Sequence, residues 1–393
     1  MNYIFISPNF PHTGTLFCDR LHNNGVNVLG IGDTPYNELD GLLKAALTEY
    51  YYVTSLEDYD QVYRAVAFFS FMYGKIDWLE SMNEYWLELD ARLRTDFNIA
   101  VGTRSDRISI IKEKSLMKHV YHEAGIPTAR QHVVTTREAG RKFVAEVGYP
   151  VIVKPNIGVG ANDTWKLTDD SSLEAFYDAL PSVPYVMEEF IEGDIWTYDA
   201  IINSRGEPLF ENTCTYAPVL DSVLDDQDVA FYACPYQPLE LRDLGRRTVL
   251  AFGVKQRFVH LEYFRLEKAK PGLGKAGDFV ALEVNMRPAG GHVTDMMNFA
   301  HSVDVFQIYA DMVSTDRRLF PAADKERYCA YAARKDSHSY THSDEDILAR
   351  YGSHVVLWEE LPSIDWVAMG RYLYLARFDT YEEVQDFIAF VRA

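Results

Sequence analysis

Apolar residues in the first hundred positions come in short runs separated by helical patterns. Runs at residues 3–6 and 26–31 flank a segment beginning TGTLFCDRLHNNG, whose apolar spacing predicts a helix. Further helices are predicted near 38–47, 57–72 and 82–94, with strands at YYYVTS and KIDWL. Strands that alternate with helices predict a parallel sheet covered on both faces. We expect this amino-terminal unit to end near residue 103.

The pattern changes further along the chain. One long helix is predicted from Ser105 to Gly125, and then the strands RQHVVT and YPVIVKP enclose another helix. From about residue 185 the predicted strands lengthen (YVMEEFI, IWTYDAIIN, PLFENTCTYA, RFVHLEYFRL, DFVALEVNM), with one clear helix near 239–252. This arrangement favours an antiparallel sheet. The tail from about 328 again alternates strand and helix.

These patterns predict a mixed α/β and α+β chain in three parts. The expected parts are a parallel-sheet domain over 1–103, a central domain over 104–327 and a small α+β subdomain over 328–393. Within the central domain we expect a helix with a small lid subdomain over 104–184 and a main sheet over 185–327.

Size and charge narrow the class of protein. A chain of 393 residues exceeds what one hydrophobic core usually serves. The net charge of −20 argues against a nucleic-acid-binding or anionic membrane-binding surface, because both partners attract basic patches. The four cysteines have no paired metal-ligand spacing, and MNYIFISPNF predicts a first strand rather than a signal peptide. We therefore expect a cytoplasmic protein.

Polar side chains alternate along the strand ALEVNMRPAGG. Leu282, Val284 and Met286 should share one face, and Glu283, Asn285 and Arg287 the other. Glu262 lies on the preceding strand, and the turn-rich connection EKAKPGLGKAGD predicts an antiparallel pair. Two carboxylates and an amide on one face could bind Mg²⁺. The alternative is a pair of solvated glutamates on an exposed face.

A lysine and two glycines follow an earlier strand. In PVIVKPNIGVGAND, Lys154 ends the strand, and Gly158 and Gly160 would let backbone amides approach a phosphate. The Walker pattern and the dinucleotide fingerprint are both missing, so an ordinary hairpin explains this segment equally well. In YVMEEFIEGD, a strand edge beside Phe190 and Ile191 could hold a flat heterocycle, or simply end in an acidic turn.

The order of these segments changes the interpretation. Five features follow one another along the chain. They are a lysine on a helix, Lys154 with its glycine loop, the segment MEEFIEG, Glu262, and the pattern Glu-x-Asn-x-Arg. In this order they resemble the ATP-grasp superfamily of carboxylate–amine and carboxylate–thiol ligases over about residues 105–315. The first domain resembles the pre-ATP-grasp domain that precedes it. Within the superfamily the chain is similar to stand-alone proteins related to the carbamoyl-phosphate synthase large subunit.

The resemblance implies a role for each matching residue. It implies that Lys114 and Lys154 bind phosphate, with Lys154 and Arg287 also taking part in catalysis. The remaining ATP contacts implied are Asn156, Gly158 and Gly160 in a flap, and Glu188, Glu189, Phe190 and Ile191 at the adenine. The metal ligands implied are Glu262, Glu283 and Asn285. The cofactors are ATP and Mg²⁺, with Mn²⁺ as a substitute.

Two departures from the superfamily leave alternatives open. Ile195 occupies the position of the usual ribose-binding glutamate, so that contact falls to Asp194 or Asp199. Lys112 and Lys118 are alternatives to Lys114. Among nearby residues, Glu84 either is solvated or faces the cleft, and His260 either lines the site or is a hydrogen-bonded core histidine.

The activity implied is an ADP-forming ligase. A carboxylate would be activated as an acyl-phosphate and attacked by an amine, such as that of an amino acid or related metabolite. The resemblance also implies small-molecule substrates and a homodimer. A non-catalytic ATP-binding subunit of a larger ligase is the alternative. An oxidoreductase ranks below both, since SPNFPHTG follows the first strand where Gly-x-Gly-x-x-Gly would be required.

Overall fold

The amino-terminal residues form a four-stranded parallel sheet with helices beside it. The computed structural model describes residues 1–158, 163–216, 228–363 and 366–393. The sheet order is β3-β2-β1-β4, and every pairing in it is parallel, as the alternating pattern predicts. Its strands are β1 (Asn2–Ile6), β2 (Asn27–Gly32), β3 (Glu49–Tyr52) and β4 (Trp78–Glu80). The helices of this part are α1 (Thr13–Asn23), α2 (Gly41–Ala46), α3 (Tyr59–Tyr73) and α4 (Leu87–Asp96).

A small antiparallel sheet follows, of order β5-β8-β6-β7. Its strands are β5 (Gln131–Val133), β6 (Val151–Pro155), β7 (Trp165–Leu167) and β8 (Tyr185–Glu189). The helices before and within it are α5 (Ser109–Lys112), α6 (Lys114–Glu123), α7 (Arg137–Val147) and α8 (Asp170–Asp178). A hydrophobic core that includes Phe143, Leu173 and Phe176 joins α7 and α8 to this sheet.

The largest element is a nine-stranded sheet. Its order is β14-β13-β9-β11-β12-β15-β17-β16, and β10 pairs with β9 outside this path. Its strands are β9 (Gly193–Ile202), β10 (Pro208–Asn212), β11 (Cys214–Tyr216), β12 (Ala230–Ala233), β13 (Arg257–Leu266), β14 (Phe279–Asn285), β15 (Tyr328–Arg334), β16 (Val355–Glu360) and β17 (Tyr372–Phe378). The helices of this part are α9 (Leu239–Ala251), α10 (Val293–His301), α11 (Val305–Thr315), α12 (Asp344–Tyr351), α13 (Trp366–Met369) and α14 (Tyr381–Arg392).

Strand β15 pairs with β12, so the sheet crosses the domain boundary predicted at residue 327. The division of the chain into domains at this residue stays a prediction. Among the described residues, no helix is both long enough and apolar enough to cross a membrane.

Two sequence-based expectations differ from the observed elements. The long helix predicted from Ser105 is two helices, because Glu113 has an extended conformation (φ −93°, ψ 111°) between α5 and α6. The predicted alternation in β14 also changes, since the register between β13 and β14 shifts between Glu262 and Tyr263. As a result Ala281, and not Leu282, is buried in the core with Val284 and Met286.

Candidate active site

The interruption before α6 positions its first lysine. The Lys114 amide donates to the Asn156 carbonyl (2.9 Å), and the Ser115 amide donates to Asn156 Oδ1 (2.9 Å). Asn156 therefore uses its backbone and side chain to hold the start of α6 against the end of β6. From this position Lys114 Nζ donates to the Gly158 carbonyl (3.0 Å) and lies 3.4 Å from Glu283 Oε1.

A second cluster places one carboxylate between two lysines. Glu188 Oε2 lies 2.9 Å from Lys154 Nζ, and its Oε1 lies 3.5 Å from Lys118 Nζ. Burial alone would raise the pKa of Glu188, but the two ammonium charges outweigh burial and lower it to about 2. Burial lowers the pKa of Lys118, which also donates to Thr128 Oγ1. For Lys154, the carboxylates, Glu188 foremost, overcome the effect of burial and raise the pKa.

The predicted metal ligands lie on one edge of the large sheet. Glu262 and Glu283 are direct partners in the antiparallel register, and Asn285 pairs with His260. Like charges placed directly opposite each other repel, so such a pair needs nearby cations. Lys114 supplies one beside Glu283. The pKa of Glu262 is held low, against the effect of burial, chiefly by His260.

A buried hydrogen-bonded chain reaches Glu262 from inside the sheet. Asp199 Oδ1 lies 2.6 Å from His260 Nδ1, and His260 Nε2 lies 3.1 Å from Glu262 Oε1. Burial favours the neutral ring, but hydrogen bonds to the two carboxylates raise the pKa of His260 to about 9. The two carboxylates therefore favour the protonated form of His260 beside Glu262. The sequence carried a signal for this, since His260 and Glu262 are two residues apart on one strand.

Asp199, one of the two candidates for the ribose contact, has other partners in the structure. Its carboxylate is fully buried and accepts hydrogen bonds from Thr197 Oγ1 (2.8 Å) and Asn212 Nδ2 (2.9 Å), besides its contact with His260. Of the two predicted alternatives, only Asp194 is exposed.

The amino-terminal domain contributes an acid, Glu84, for which the sequence left two positions open. Glu84 Oε1 lies 2.7 Å from Lys112 Nζ, and its Oε2 lies 3.3 Å from Arg287 Nε. Arg287 also donates to the Pro288 carbonyl (2.8 Å). Lys112 is thus held by Glu84, whereas Lys114 and Lys118 contact Glu283 and Glu188. Only folding brings α5 and the segment before α4 together, so no local pattern predicts this contact.

The MEEFIEG segment forms an apolar edge beside the lysines. Glu189 accepts from the Arg130 amide (2.7 Å) and guanidinium (2.8 Å), and its own amide donates to the Arg130 carbonyl. Ile191 is buried with Ala129, Leu266 and Val280. Lys166 lies over the Phe190 ring, with Nζ 4.4 Å from its centroid.

Most of the predicted site residues come together on one side of the large sheet. The carboxylates of Glu262 and Glu283 both raise the pKa of Lys154. Lys154 and Glu188 therefore lie close enough to the predicted metal ligands for their charges to interact. Gly160 lies outside the described residues. The geometry therefore provides cations beside an oxygen-rich face that includes Glu262, Glu283 and Asn285.

This oxygen-rich face suits a hard divalent cation. Two carboxylates and an amide oxygen are donors that Mg²⁺ accepts, and the lysines nearby would leave open positions for phosphate oxygens. The buried carboxylate of Glu188 also has capacity left, because no hydrogen bond from the described residues reaches its Oε1. The residues present fit a metal–nucleotide pair.

Comparison with known proteins agrees with this fold. The family "Carbamoyl-phosphate synthase L chain, ATP binding domain" matches residues 113–181. The carbamoyl phosphate synthase large chain of Mycobacterium sp. (strain JLS) is 28% identical over 99 residues, which is 24% of this chain and 9% of that relative. The chain therefore spans about a tenth of the length of such relatives.

Two ligases are similar over more of the chain. The L-arginine-specific L-amino acid ligase of Bacillus subtilis is 24% identical over 245 residues, covering 60% of this chain and 57% of that relative. The crystal structure of L-amino acid ligase from Bacillus licheniformis has a TM-score of 0.70 at 16% identity, covering 99% of this chain and 96% of that one.

The chain has an ATP-grasp fold, as the resemblance implied. It is similar to the carbamoyl phosphate synthase large chain over a short segment and to amino-acid ligases in overall fold.

Proposed function

We propose that this protein is an ADP-forming ligase that joins a carboxylate to an amine at the expense of ATP. The observation that carries the proposal is the convergence of Lys114, Lys154 and Glu188 with the Glu262–Glu283 pair on one face. Such an arrangement gives a triphosphate both the cations and the metal ligands that phosphoryl transfer requires.

Nucleotide binding would add a hydrogen bond to a buried carboxylate. Glu188 Oε1 lies 3.5 Å from Lys118 Nζ but accepts no hydrogen bond from the described residues, and an exocyclic amino group beside it would supply a donor. Phe190 and Ile191 provide apolar surface next to it, and Lys154 lies on the phosphate side. The match of residues 113–181 to a family described as an ATP-binding domain supports the same role.

The metal role falls to Glu262, Glu283 and Asn285. When bound there, Mg²⁺ would neutralise charge on the phosphates and hold them toward the acceptor carboxylate. The ion pair of Lys114 with Glu283 lets this lysine reach phosphates bound at the same edge. His260 orients Glu262 by holding its Oε1 at 3.1 Å.

The reaction itself would proceed in two steps. A carboxylate oxygen attacks the terminal phosphorus, the bond to the ADP oxygen breaks, and an acyl-phosphate forms. An amine nitrogen then attacks the acyl carbon, the carbon–oxygen bond to phosphate breaks, and the nitrogen gives up a proton. Arg287 would stabilise the oxyanion of the tetrahedral species, with Glu84 holding its guanidinium in place.

The substrates belong to this proposal as well. Both amino-acid ligases described above support an amino acid or related metabolite as the amine. Glu84 and Arg287 stand together where the amino-terminal domain meets the sheet, so an ammonium group and a carboxylate could each find a partner there. Cytoplasmic location and a homodimer stay predictions.

Phosphate release tests the proposal. The protein would be incubated with Mg²⁺ and ATP and with amino acids and dicarboxylates, singly and in pairs. We expect release that requires a particular pair and falls about 100-fold or more in Glu283→Gln. Glu267→Gln is the matched control, because Glu267 is exposed and directly follows the same β13 strand that carries Glu262.

ATP binding, titrated in the same preparation, makes a negative result informative. Folded protein that fails to bind ATP contradicts the proposal. Magnesium-dependent binding without release for any pair would favour the non-catalytic subunit instead.

A further inference from the structure

A second group of side chains that could bind a metal lies apart from the proposed nucleotide face, which is formed by Lys114, Lys154, Glu188, Glu262 and Glu283. His12 immediately precedes α1 in the amino-terminal domain, and His292 and Asp295 lie at the start of α10. A ligand atom from each of these three residues lies within 4.8 Å of the other two. The proposed ligase mechanism uses none of them.

The distances between these ligand atoms are close to the distances between ligand atoms around a bound ion. Asp295 Oδ2 lies 3.1 Å from His292 Nδ1 and 3.7 Å from His12 Nε2. Ligands at 2.0–2.1 Å around a tetrahedral zinc ion are separated by about 3.3 Å. Small side-chain shifts would therefore bring all three donors to one ion.

A fourth side chain contacts the other ring nitrogen of His292. Glu359 in β16 places Oε1 2.9 Å from His292 Nε2, on the ring edge opposite Asp295. If Nε2–H donates to Glu359, then in the neutral ring the lone pair is on Nδ1, which faces Asp295. A carboxylate that accepts the outer N–H of a histidine is the usual companion of metal-bound imidazole.

We propose that His12 Nε2, His292 Nδ1 and Asp295 Oδ2 bind a Zn²⁺-class transition-metal ion, with Glu359 orienting His292. Two imidazoles and one carboxylate are donors that suit Zn²⁺ and Co²⁺ better than Mg²⁺. Three protein ligands leave a fourth position for water or an oxygen of a small ligand.

The surroundings suit this assignment. The cluster opens onto a cavity of about 430 Å³ that Tyr331, Leu357 and Met369 also line. The fourth metal position would therefore be accessible to a ligand in that cavity.

The charge of the cluster also favours a cation. With neutral imidazoles, Asp295 and Glu359 carry two negative charges, which a divalent ion would compensate. The amino-terminal ends of α1 and α10 repel cations, but only weakly compared with direct ligands.

Cobalt binding tests the assignment without nucleotide or turnover. Metal-free protein without a polyhistidine tag would be titrated with Co²⁺, and the visible absorption of the four-coordinate ion would be followed. We expect one equivalent to bind, to be displaced by Zn²⁺, and to bind at least 100-fold more weakly in His12→Ala. The His12 side chain is 56% exposed, so its removal does not endanger folding. Glu359→Gln should weaken binding by about 10- to 100-fold.

Two further variants separate this site from other possibilities. His119→Ala removes an exposed histidine paired with Glu123 and should leave cobalt binding unchanged. Glu283→Gln should also leave it unchanged, because Glu283 belongs to the nucleotide face. Absence of binding at micromolar Co²⁺ would overturn the assignment. Equal binding in wild type and His12→Ala, or loss in Glu283→Gln alone, would overturn it too, whatever the outcome of the phosphate-release assay.

Discussion

Replacing Glu188 by glutamine would test how much the buried lysine pair depends on its carboxylate. Glutamine keeps the shape of the side chain but removes the charge that Lys118 and Lys154 share at 3.5 Å and 2.9 Å. The pKa of Glu188 falls from its ordinary value of 4.5 to about 2 on folding. At about 1.4 kcal/mol per unit, this shift corresponds to about 3 kcal/mol of stability at pH 7. Loss of one partner of a buried ion pair costs about 3–5 kcal/mol, a similar magnitude.

The lowered pKa of Glu188 determines how the loss of stability in Glu188→Gln changes with pH. The folded-state pKa is depressed, so the stabilisation is complete above the unfolded value of 4.5 and is lost as the pH falls through 2. Urea unfolding should show Glu188→Gln to be about 3 kcal/mol less stable than wild type at pH 7, and about 2 kcal/mol less stable at pH 3.5. The exposed Glu267→Gln should differ from wild type by no more than about 0.5 kcal/mol. A difference below about 1 kcal/mol at pH 7, or one that does not shrink at pH 3.5, would refute the reasoning.

Two further substitutions probe Arg287 and the core. Glu84→Gln should lower kcat for ligation about 10- to 100-fold while leaving ATP affinity within about twofold, because Arg287 loses the charge that orients it. Steady-state kinetics and an ATP titration measure the two quantities, and an equal loss of kcat and of ATP affinity would contradict this prediction. Gly245→Ala should lower the free energy of unfolding by about 1–3 kcal/mol, since the added Cβ would lie 2.3 Å from Tyr198 Cγ. Gly41→Ala, with no atom within 4 Å of its Cβ, is the control in the same chemical denaturation experiment and should be neutral or slightly stabilising.

Local sequence patterns predicted much of the fold and the metal-ligand face. Period-two alternation and a turn-rich connection predicted that Glu262 and Glu283 could share one face of an antiparallel pair, and in the structure the two residues are opposite each other. The same reasoning placed Leu282 on the wrong face, because one register shift reverses alternation beyond it. The break at Glu113 was also missed, since it depends on hydrogen bonds to Asn156, more than forty residues away in sequence.

The side-chain partners were harder to predict than the strands. Asp199 was one of two ribose candidates in the sequence, whereas in the fold its carboxylate is buried with three hydrogen-bond partners. The sequence could not decide whether Glu84 is solvated, because Arg287 lies two hundred residues further along the chain. The contacts of Asp199 with His260 and of Glu84 with Arg287 join distant segments, which no local period encodes.

The continuity of the nine-stranded sheet has a practical consequence for shortened forms of the protein. A chain cut at residue 327 would lose β15 and leave one edge of β12 (Ala230–Ala233) without its partner. Unpaired amides and carbonyls along a strand template pairing with another molecule, and such a fragment should self-associate. The last sixty-six residues thus cover the β12 edge of this sheet. Experiments on the proposed nucleotide site, which lies toward the β14 end of the same sheet, require these residues to be present.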